Sequence, residues 1–138
     1  MIIAIRISGQ VGLPRKTKEM LYRSRLRRKY AAVLLKPTKE NLKLLNKIRN
    51  FAAYGDIDKE TLKMLIKYRG ESIKKEKVDA EKIVEGLEKR NLGGLGLKPF
   101  FRLHPPRGGI ESKKHFGVGK GVLGDNKGKI NELVRRML

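Results

Sequence analysis

The sequence predicts a mixed α+β fold with a small three-stranded sheet, a helical extension and a glycine-rich basic arm. Three observations lead to this prediction. The N-terminus is rich in isoleucine, several later segments combine helix caps with apolar stripes, and ten of the fifteen glycines lie between Gly93 and Gly128. The length of 138 residues suits one domain with a modest core.

The N-terminal part alternates predicted strands and helices. Residues 1–7 are too apolar for a strand with one solvent-facing side, so this strand is expected to be central in the sheet. A helix is predicted over 15–28, with Pro14 pre-set for its start. A second strand is predicted over 31–36.

The next helix is predicted from a capping residue and a stripe of apolar residues, and a strand is predicted after it. Thr38 is the expected N-cap of a helix. Leu42, Leu45 and Ile48 recur at helical spacing and are predicted to form its buried stripe. A short third strand is predicted over 51–57.

Two later helices share the same kind of start. Asp58 and Asp79 are each expected to act as an N-cap, with apolar residues placed to form a hydrophobic staple. The first helix is predicted over 59–69 and ends at Gly70. The second is predicted over 80–90.

The C-terminal part is predicted to be an arm and a final helix. Residues 99–103 could form a strand, whereas glycine, proline and lysine predict no regular structure over 104–126. Such a segment should be mobile unless a partner orders it. Asp125 is expected to cap a helix whose apolar stripe consists of Ile130, Leu133, Val134 and Met137.

The net charge is +20 and is distributed unevenly. Residues 1–50 carry +12, residues 51–97 carry +1, and residues 98–138 carry +7. Both ends are therefore cationic, and a charge of this size points to a polyanionic partner.

The densest charge lies in the sequence RSRLRRK at 23–29, where five of seven residues are cationic. A charge run is usually a solvated helix face, but residues 20–39 contain no acid, which favours phosphate contact instead. An anionic membrane is a minor alternative because the basic helix has little apolar face to insert. Cations spread over two regions suit a large folded RNA better than a DNA recognition helix.

Catalysis is not predicted. The chain has no cysteine, and its two histidines, His104 and His115, have no paired acids nearby, so neither a catalytic site nor a metal site is expected. The sequence GKGVLG at 119–124 matches G-x-G-x-x-G, but it lacks the βαβ context of a nucleotide site. No cofactor is expected. The sequence also predicts no transmembrane helix or signal peptide.

Four short motifs are similar to those of a known family. They are LRR at 26–28, YGDID at 54–58, FRLHPPRGG at 101–109 and INELVRRM at 130–137. The chain resembles the large-subunit ribosomal protein thirty family in its archaeal and eukaryotic long form, which is named seven in eukaryotes. The resemblance covers essentially the whole chain.

The resemblance implies a βαβαβ core with some likeness to ferredoxin-like folds. Three segments are expected within one integrated domain: the RNA-binding core (1–57), a helical extension (58–97), and the basic arm with the last helix (98–138). The implied partners are the large-subunit ribosomal RNA, the small five-S-type RNA and neighbouring ribosomal proteins. The implied location is the cytoplasmic ribosome.

The resulting hypothesis is that the chain is a structural constituent of the large ribosomal subunit and not an enzyme. The expected RNA-binding residues are Arg15, Lys16, Lys18, Arg23, Arg25, Arg27, Arg28, Lys29, Arg102, His104, Arg107, Lys113, Lys114, His115 and Lys120. The alternatives are a free-standing RNA-binding regulator or RNA chaperone and, with less support, an enzyme that holds a nucleotide at residues 119–124.

Overall fold

The computed structural model describes residues 1–9, 12–73, 79–87, 95–119 and 121–138. Its strands are β1 (Ile2–Arg6), β2 (Ala31–Leu35), β3 (Ala52–Asp56), β4 (Phe101–Arg102), β5 (Glu111–His115) and β6 (Gly121–Asp125). Its helices are α1 (Arg15–Arg23), α2 (Lys39–Ile48), α3 (Lys59–Arg69), α4 (Ala80–Gly86) and α5 (Ile130–Met137), the last preceded by a 3-10 turn at Lys127–Lys129. None of the helices in these ranges is long and apolar enough to cross a bilayer.

The strands form one sheet in the order β4-β2-β1-β3-β6-β5. β1 is antiparallel to both β2 and β3, and β6 is parallel to β3. The mixed α+β class is thus confirmed. The small three-stranded sheet is not what is observed, because the described part of the C-terminal third contributes three further strands.

Two apolar layers enclose the central strand. Ile2 and Ala4 face one side of the sheet, where they pack with Leu21 of α1 and Leu45 of α2. Ile3, Ile5 and Ile7 face the other side, with residues of α3 and α5. Fully burying such a side chain contributes about 1.5–3 kcal/mol. The expected central position of the first strand is therefore confirmed, and every residue of β1 is buried.

Helix α1 is shorter than predicted because the chain turns sharply after Arg23. The Leu26 amide donates to the Leu21 carbonyl (2.9 Å) and the Arg25 amide to the Tyr22 carbonyl (3.1 Å). This is the Schellman pattern, whose left-handed residue is usually glycine. Here it is Arg25, at φ 64°. Arg25 and Lys29 consequently do not share a helix face with Arg15.

Most of the other helix predictions are confirmed. Thr38 accepts from the Asn41 amide (3.3 Å) and Asp58 from the Thr61 amide (2.6 Å). Asp79 likewise caps α4, whose predicted last residues, 88–90, lie outside the described part. The prediction that Leu42 belongs to the buried stripe is wrong. It is 48% exposed, because α2 turns only Leu45 and Ile48 fully toward the sheet.

The prediction of no regular structure over 104–126 is wrong. In β6, Val122 and Leu123 are buried in the core that also holds α3 and α5. Pairing with β3 supplies both hydrogen-bond partners and apolar cover, which a glycine-rich segment could not supply to itself. Asp125 does not cap α5; its carboxylate accepts from the Lys127 amide (2.9 Å) and closes the turn before that helix.

Gly55 explains how closely the last helix approaches the sheet. A Cβ at this position would collide with the Lys127 carbonyl oxygen and with Ile130. Asn131 completes the joint: its side chain accepts from the Asp58 amide (2.9 Å) and donates to the Asp56 carbonyl (3.1 Å). Two of the motifs that carry the family resemblance, 54–58 and 130–137, are therefore packed against each other.

Candidate nucleic-acid interface

The segment of residues 24–30, named here the basic loop, has a fixed backbone and exposed cations. Leu26 is only 1% exposed and holds the middle of the loop in the core. The Tyr30 amide donates to the Arg6 carbonyl (2.7 Å), and the Leu103 amide donates to the Tyr30 carbonyl (3.1 Å). Tyr30, at φ 67°, is left-handed like Arg25. Each left-handed non-glycine residue costs roughly 1–2 kcal/mol, which the surrounding bonds must offset.

Arg6 holds the basic loop in place from its buried side, and it is not among the site residues predicted from the sequence. It is 2% exposed, and its guanidinium donates to the carbonyls of Leu26 (3.0 Å), Ser8 (2.9 Å) and Gly9 (3.2 Å). Burial lowers the pKa of Arg6 from its ordinary value. The available signal was a single arginine within an isoleucine-rich strand.

The basic loop and β4 together form a hollow of about 480 Å³, named here the loop–strand pocket. Pairing of β4 with β2 places Arg102 opposite Ala31, at the end of the basic loop. The lining residues are five cations and four apolar residues: Arg25, Arg27, Arg28, Lys29, Arg102, Ala31, Pro99, Phe100 and Leu103. The fold thus brings together five predicted site residues that are up to 77 positions apart in sequence.

Phe100 is a second residue that the sequence analysis did not select. It is half-buried, and the Arg102 guanidinium carbon lies 5.6 Å from its ring centroid. The two neighbouring rings point to different sides of the sheet: Phe101 is buried in the core with α3 and α5, whereas Phe100 packs against the other core layer and lines the pocket. The signal was the pair Phe100-Phe101, the only adjacent aromatic residues in the sequence.

The predicted residues of α1 lie on an adjoining, shallower surface, which shares Arg27 with the loop–strand pocket. Lys18, Arg23 and Arg27 line a hollow of about 390 Å³ together with Arg6, Glu19 and Tyr22. Arg27 stacks on the Tyr22 ring at 4.2 Å. Arg15 lies 3.8 Å from Glu19 across one helical turn, and Lys16 is exposed next to it.

Arg107 and His104 make contacts within the protein. The Arg107 guanidinium donates to the Arg135 carbonyl (3.1 Å), while Arg136 donates to the carbonyls of Arg107 (2.7 Å) and Gly109. The His104 amide donates to the Met137 carbonyl (2.9 Å). The bonds from Arg107 and His104 satisfy carbonyls at the end of α5, which would otherwise lack partners, whereas those from Arg136 satisfy carbonyls of the arm.

The remaining predicted cations lie at the opposite edge of the sheet. Lys113, Lys114 and His115 belong to β5, whereas β4 forms the other edge. Lys114 is paired with Glu111 at 3.2 Å. Lys120 lies outside the described residues. The predicted site is therefore two surfaces separated by the full width of the sheet.

The glycine motif at 119–124 is not arranged as a nucleotide-binding turn. Its described part enters strand β6 and leads to no helix directly. A Cβ at Gly121 would collide with the His115 carbonyl oxygen, so this glycine permits close packing of the chain on itself. Within the described residues, no group of three or more His, Cys, Asp or Glu is placed to hold a metal ion.

Charge balance distinguishes the loop–strand pocket from the hollow between α3 and α4. No carboxylate lines it, whereas the hollow between α3 and α4 is lined by Lys59, Lys63, Glu81 and Glu85. Lys98 next to Pro99 pairs with Glu71 at 2.9 Å, and this hydrogen bond, with a smaller contribution from the charge of Arg102, lowers the pKa of Glu71. Fold and site together define a small, strongly basic α+β protein with a preformed cationic pocket.

Comparison with known proteins places the chain within that class. No family model matches it. It is 36% identical to large ribosomal subunit protein uL30 of Archaeoglobus fulgidus, over 99% of both chains. It is also 36% identical to uL30 of Methanococcus vannielii, over 97% of both chains, and to uL30 of Aeropyrum pernix, over 97% of this chain and 96% of the relative. The chain belongs to the uL30 family, and the resemblance found in its motifs is confirmed.

Proposed function

We propose that the chain is a structural constituent of the large ribosomal subunit and binds ribosomal RNA through contacts between Lys or Arg side chains and phosphates. The observation that carries this proposal is the loop–strand pocket, where five cations converge with no carboxylate in the lining. Like charges held this close repel one another, and a polyanion relieves the repulsion by exchanging its condensed counterions for them. The names of the relatives agree with this function.

The fixed backbone of the basic loop supports the same proposal. Arg6 and Leu26 hold the loop from within, so its backbone needs little ordering when RNA binds. A surface organised in advance loses less entropy on binding than a flexible one. The bonds around Tyr30 therefore contribute to affinity without touching RNA.

The proposal extends to partners and architecture. The core of β1, α1, β2, α2 and β3, with its likeness to ferredoxin-like folds, is the main RNA-binding unit of one integrated domain. The edge formed by β5 offers Lys113 and Lys114 to a second RNA segment or to the five-S-type RNA. Neighbouring ribosomal proteins complete the surroundings, and the site of action is the cytoplasmic ribosome. No catalytic step is assigned to the chain.

A salt titration tests the proposal. The full chain is titrated with a fragment of large-subunit ribosomal RNA at several salt concentrations, and log Kobs should fall linearly with log salt. Arg28→Gln should weaken binding and lower the slope by about one. The matched control is Lys63→Gln, which removes a cation from the charge-balanced hollow and should leave the slope unchanged. Affinity that does not respond to salt would overturn the proposal.

Co-sedimentation distinguishes a ribosomal constituent from a free-standing RNA-binding regulator or chaperone. The tagged chain should sediment with large subunits after a high-salt wash. A regulator would remain in the supernatant while still binding isolated RNA.

A further inference from the structure

The loop–strand pocket has an apolar part that phosphate contacts leave unexplained. Four of its nine lining residues are Ala31, Pro99, Phe100 and Leu103. A phosphate group gains nothing by covering carbon, and cations alone would serve it equally well on a flat surface. The volume of about 480 Å³ falls within the range of small-molecule sites, about 300–1,000 Å³.

The position of Phe100 gives this apolar part a specific shape. The residue directly precedes the edge strand β4 and is half-buried, with part of its ring packed against the core cluster of Leu21 and Leu26. The rest of the ring lines the pocket, and the Arg102 guanidinium carbon lies 5.6 Å from its centroid. Buried Leu103 and Ala31 form the floor. Aromatic rings and guanidinium planes are the two kinds of side chain on which unpaired RNA bases stack.

We infer that the loop–strand pocket receives one unpaired nucleotide of an RNA bulge or loop. The base stacks against Phe100 and Arg102, over Leu103 and Ala31, while the phosphates on either side contact the cations of the basic loop. A nucleotide matches both halves of the lining, since it joins a flat apolar face to a charged backbone. A paired base cannot enter, because its faces are already covered by its neighbours in the helix.

This inference rests on the proposed function. It assigns to the pocket the recognition of unpaired nucleotides in RNA. Phosphate contacts position a protein on RNA without distinguishing sequences, whereas recognition of unpaired positions provides specificity. The basic loop then has two roles: it supplies charge and it closes one side of a slot. The left-handed residues Arg25 and Tyr30 lie near the two ends of the loop and fix its shape.

The test compares two RNA hairpins that differ by one unpaired nucleotide. One carries a single bulged 2-aminopurine and the other is fully paired, and both are titrated with the full chain by fluorescence. We expect tighter binding of the bulged hairpin by about tenfold, the size of one base–aromatic stacking contact. A change in 2-aminopurine fluorescence should accompany binding, because the base exchanges its neighbours in the RNA for the pocket.

Phe100→Leu isolates stacking from folding, because it keeps an apolar side chain and removes the flat ring. It should abolish the preference for the bulged hairpin and leave the salt slope unchanged. Phe116→Leu is the matched control, since Phe116 is an exposed aromatic residue just after β5 and should leave the preference intact.

Two other outcomes separate the inference from the proposed function. Equal, salt-dependent binding of both hairpins by the unaltered chain would overturn the nucleotide pocket and leave ribosomal RNA binding standing. Failure to bind either hairpin at low salt would overturn both.

Discussion

The basic loop (24–30) and the C-terminal segment (104–138) are both cationic, but their arginines are used in opposite ways. In the basic loop the backbone is fixed by Leu26 and by the buried Arg6, and the other arginines are exposed. In the C-terminal segment Arg107 and Arg136 donate to backbone carbonyls and hold the arm against α5. Charge density by itself therefore does not identify a binding surface.

The two regions differ in which groups hydrogen-bond to the backbone carbonyls at the end of the neighbouring helix. The turn after α1 closes its backbone hydrogen bonds through the Schellman pattern, and the side chains of Ser24 and Arg27 add bonds to the carbonyls of Met20 (2.8 Å) and Tyr22 (3.3 Å). The end of α5 has no such turn, and the arm supplies donors to its carbonyls. Arg107 therefore has a structural role at the end of α5, whereas the closed turn after α1 leaves Arg25 and Arg28 to line the pocket.

The largest predicted effects are on stability and concern Leu26 and Leu133, two apolar residues that hold the basic loop and the C-terminal segment in place. Leu26→Ala and Leu133→Ala should each cost about 2–5 kcal/mol of unfolding free energy, because both residues are buried and leave cavities. Thermal unfolding measures this. Only Leu26→Ala should also weaken RNA binding when affinity is measured for the molecules that remain folded, because this change loosens the basic loop. Equal loss of affinity in both variants would contradict the distinction between the regions.

A smaller effect separates the arginines themselves. Arg136→Gln removes donors to two arm carbonyls and should cost about 1–2 kcal/mol of stability. Arg28→Gln should change stability by less than about 0.5 kcal/mol, as surface substitutions usually do. Denaturant unfolding measures both, and the ranking should reverse when RNA affinity is measured instead. The comparison fails if Arg28→Gln proves the more destabilising change.

The start of α3, where Asn131 of the C-terminal segment bonds to the Asp58 amide, should be sensitive to acid. Asp58→Ala removes the cap of α3 and should cost about 1 kcal/mol at neutral pH. The hydrogen bond from the Thr61 amide lowers the pKa of Asp58, so this stabilisation is complete above the unfolded-state pKa of about 3.9. It is lost as pH falls through the lower folded-state pKa.

Unfolding measured between pH 2 and pH 7 should show the difference between the parent chain and Asp58→Ala shrinking toward the acid end. Asp58→Asn is the control, since asparagine caps helices but does not titrate. A difference that stays constant with pH would exclude the charged carboxylate as the cause.

The smallest effect concerns the left-handed residue of the basic loop. Arg25→Asn should leave stability within about 0.5 kcal/mol or raise it slightly, because asparagine tolerates φ above zero better than arginine does. The same variant should lower the salt slope of RNA binding. Marked destabilisation would mean that Arg25 makes structural contacts like those of Arg136.

Much of the fold could be predicted because its signals are local. The isoleucines of β1 and the caps at Thr38, Asp58 and Asp79 depend on neighbours a few residues away. The end of α1 was predicted too late, although Leu26 is the one apolar residue in the run of cations at 23–29 and breaks the helical pattern of the preceding residues. That break in register marked the residue at which the chain leaves the helix and returns to the core.

The C-terminal strands and the pocket could not be predicted in the same way. β6 exists because β3 offers it hydrogen bonds and apolar cover, and nothing between residues 104 and 126 indicates that partner. Arg102 and Phe100 reach the basic loop only through pairing of β4 with β2. Neither sequence distance nor composition indicates that proximity.

The sequence by itself determined the chemical character of this protein: a net charge of +20, cations concentrated toward both ends, and apolar stripes at helical and strand spacing. Charge and local periodicity are properties of neighbouring residues and survive without a fold. Only the tertiary structure decided which cations are exposed and which hold carbonyls, and which aromatic ring lies beside them. Those roles depend on contacts between distant segments, and such contacts exist only once the sheet has formed.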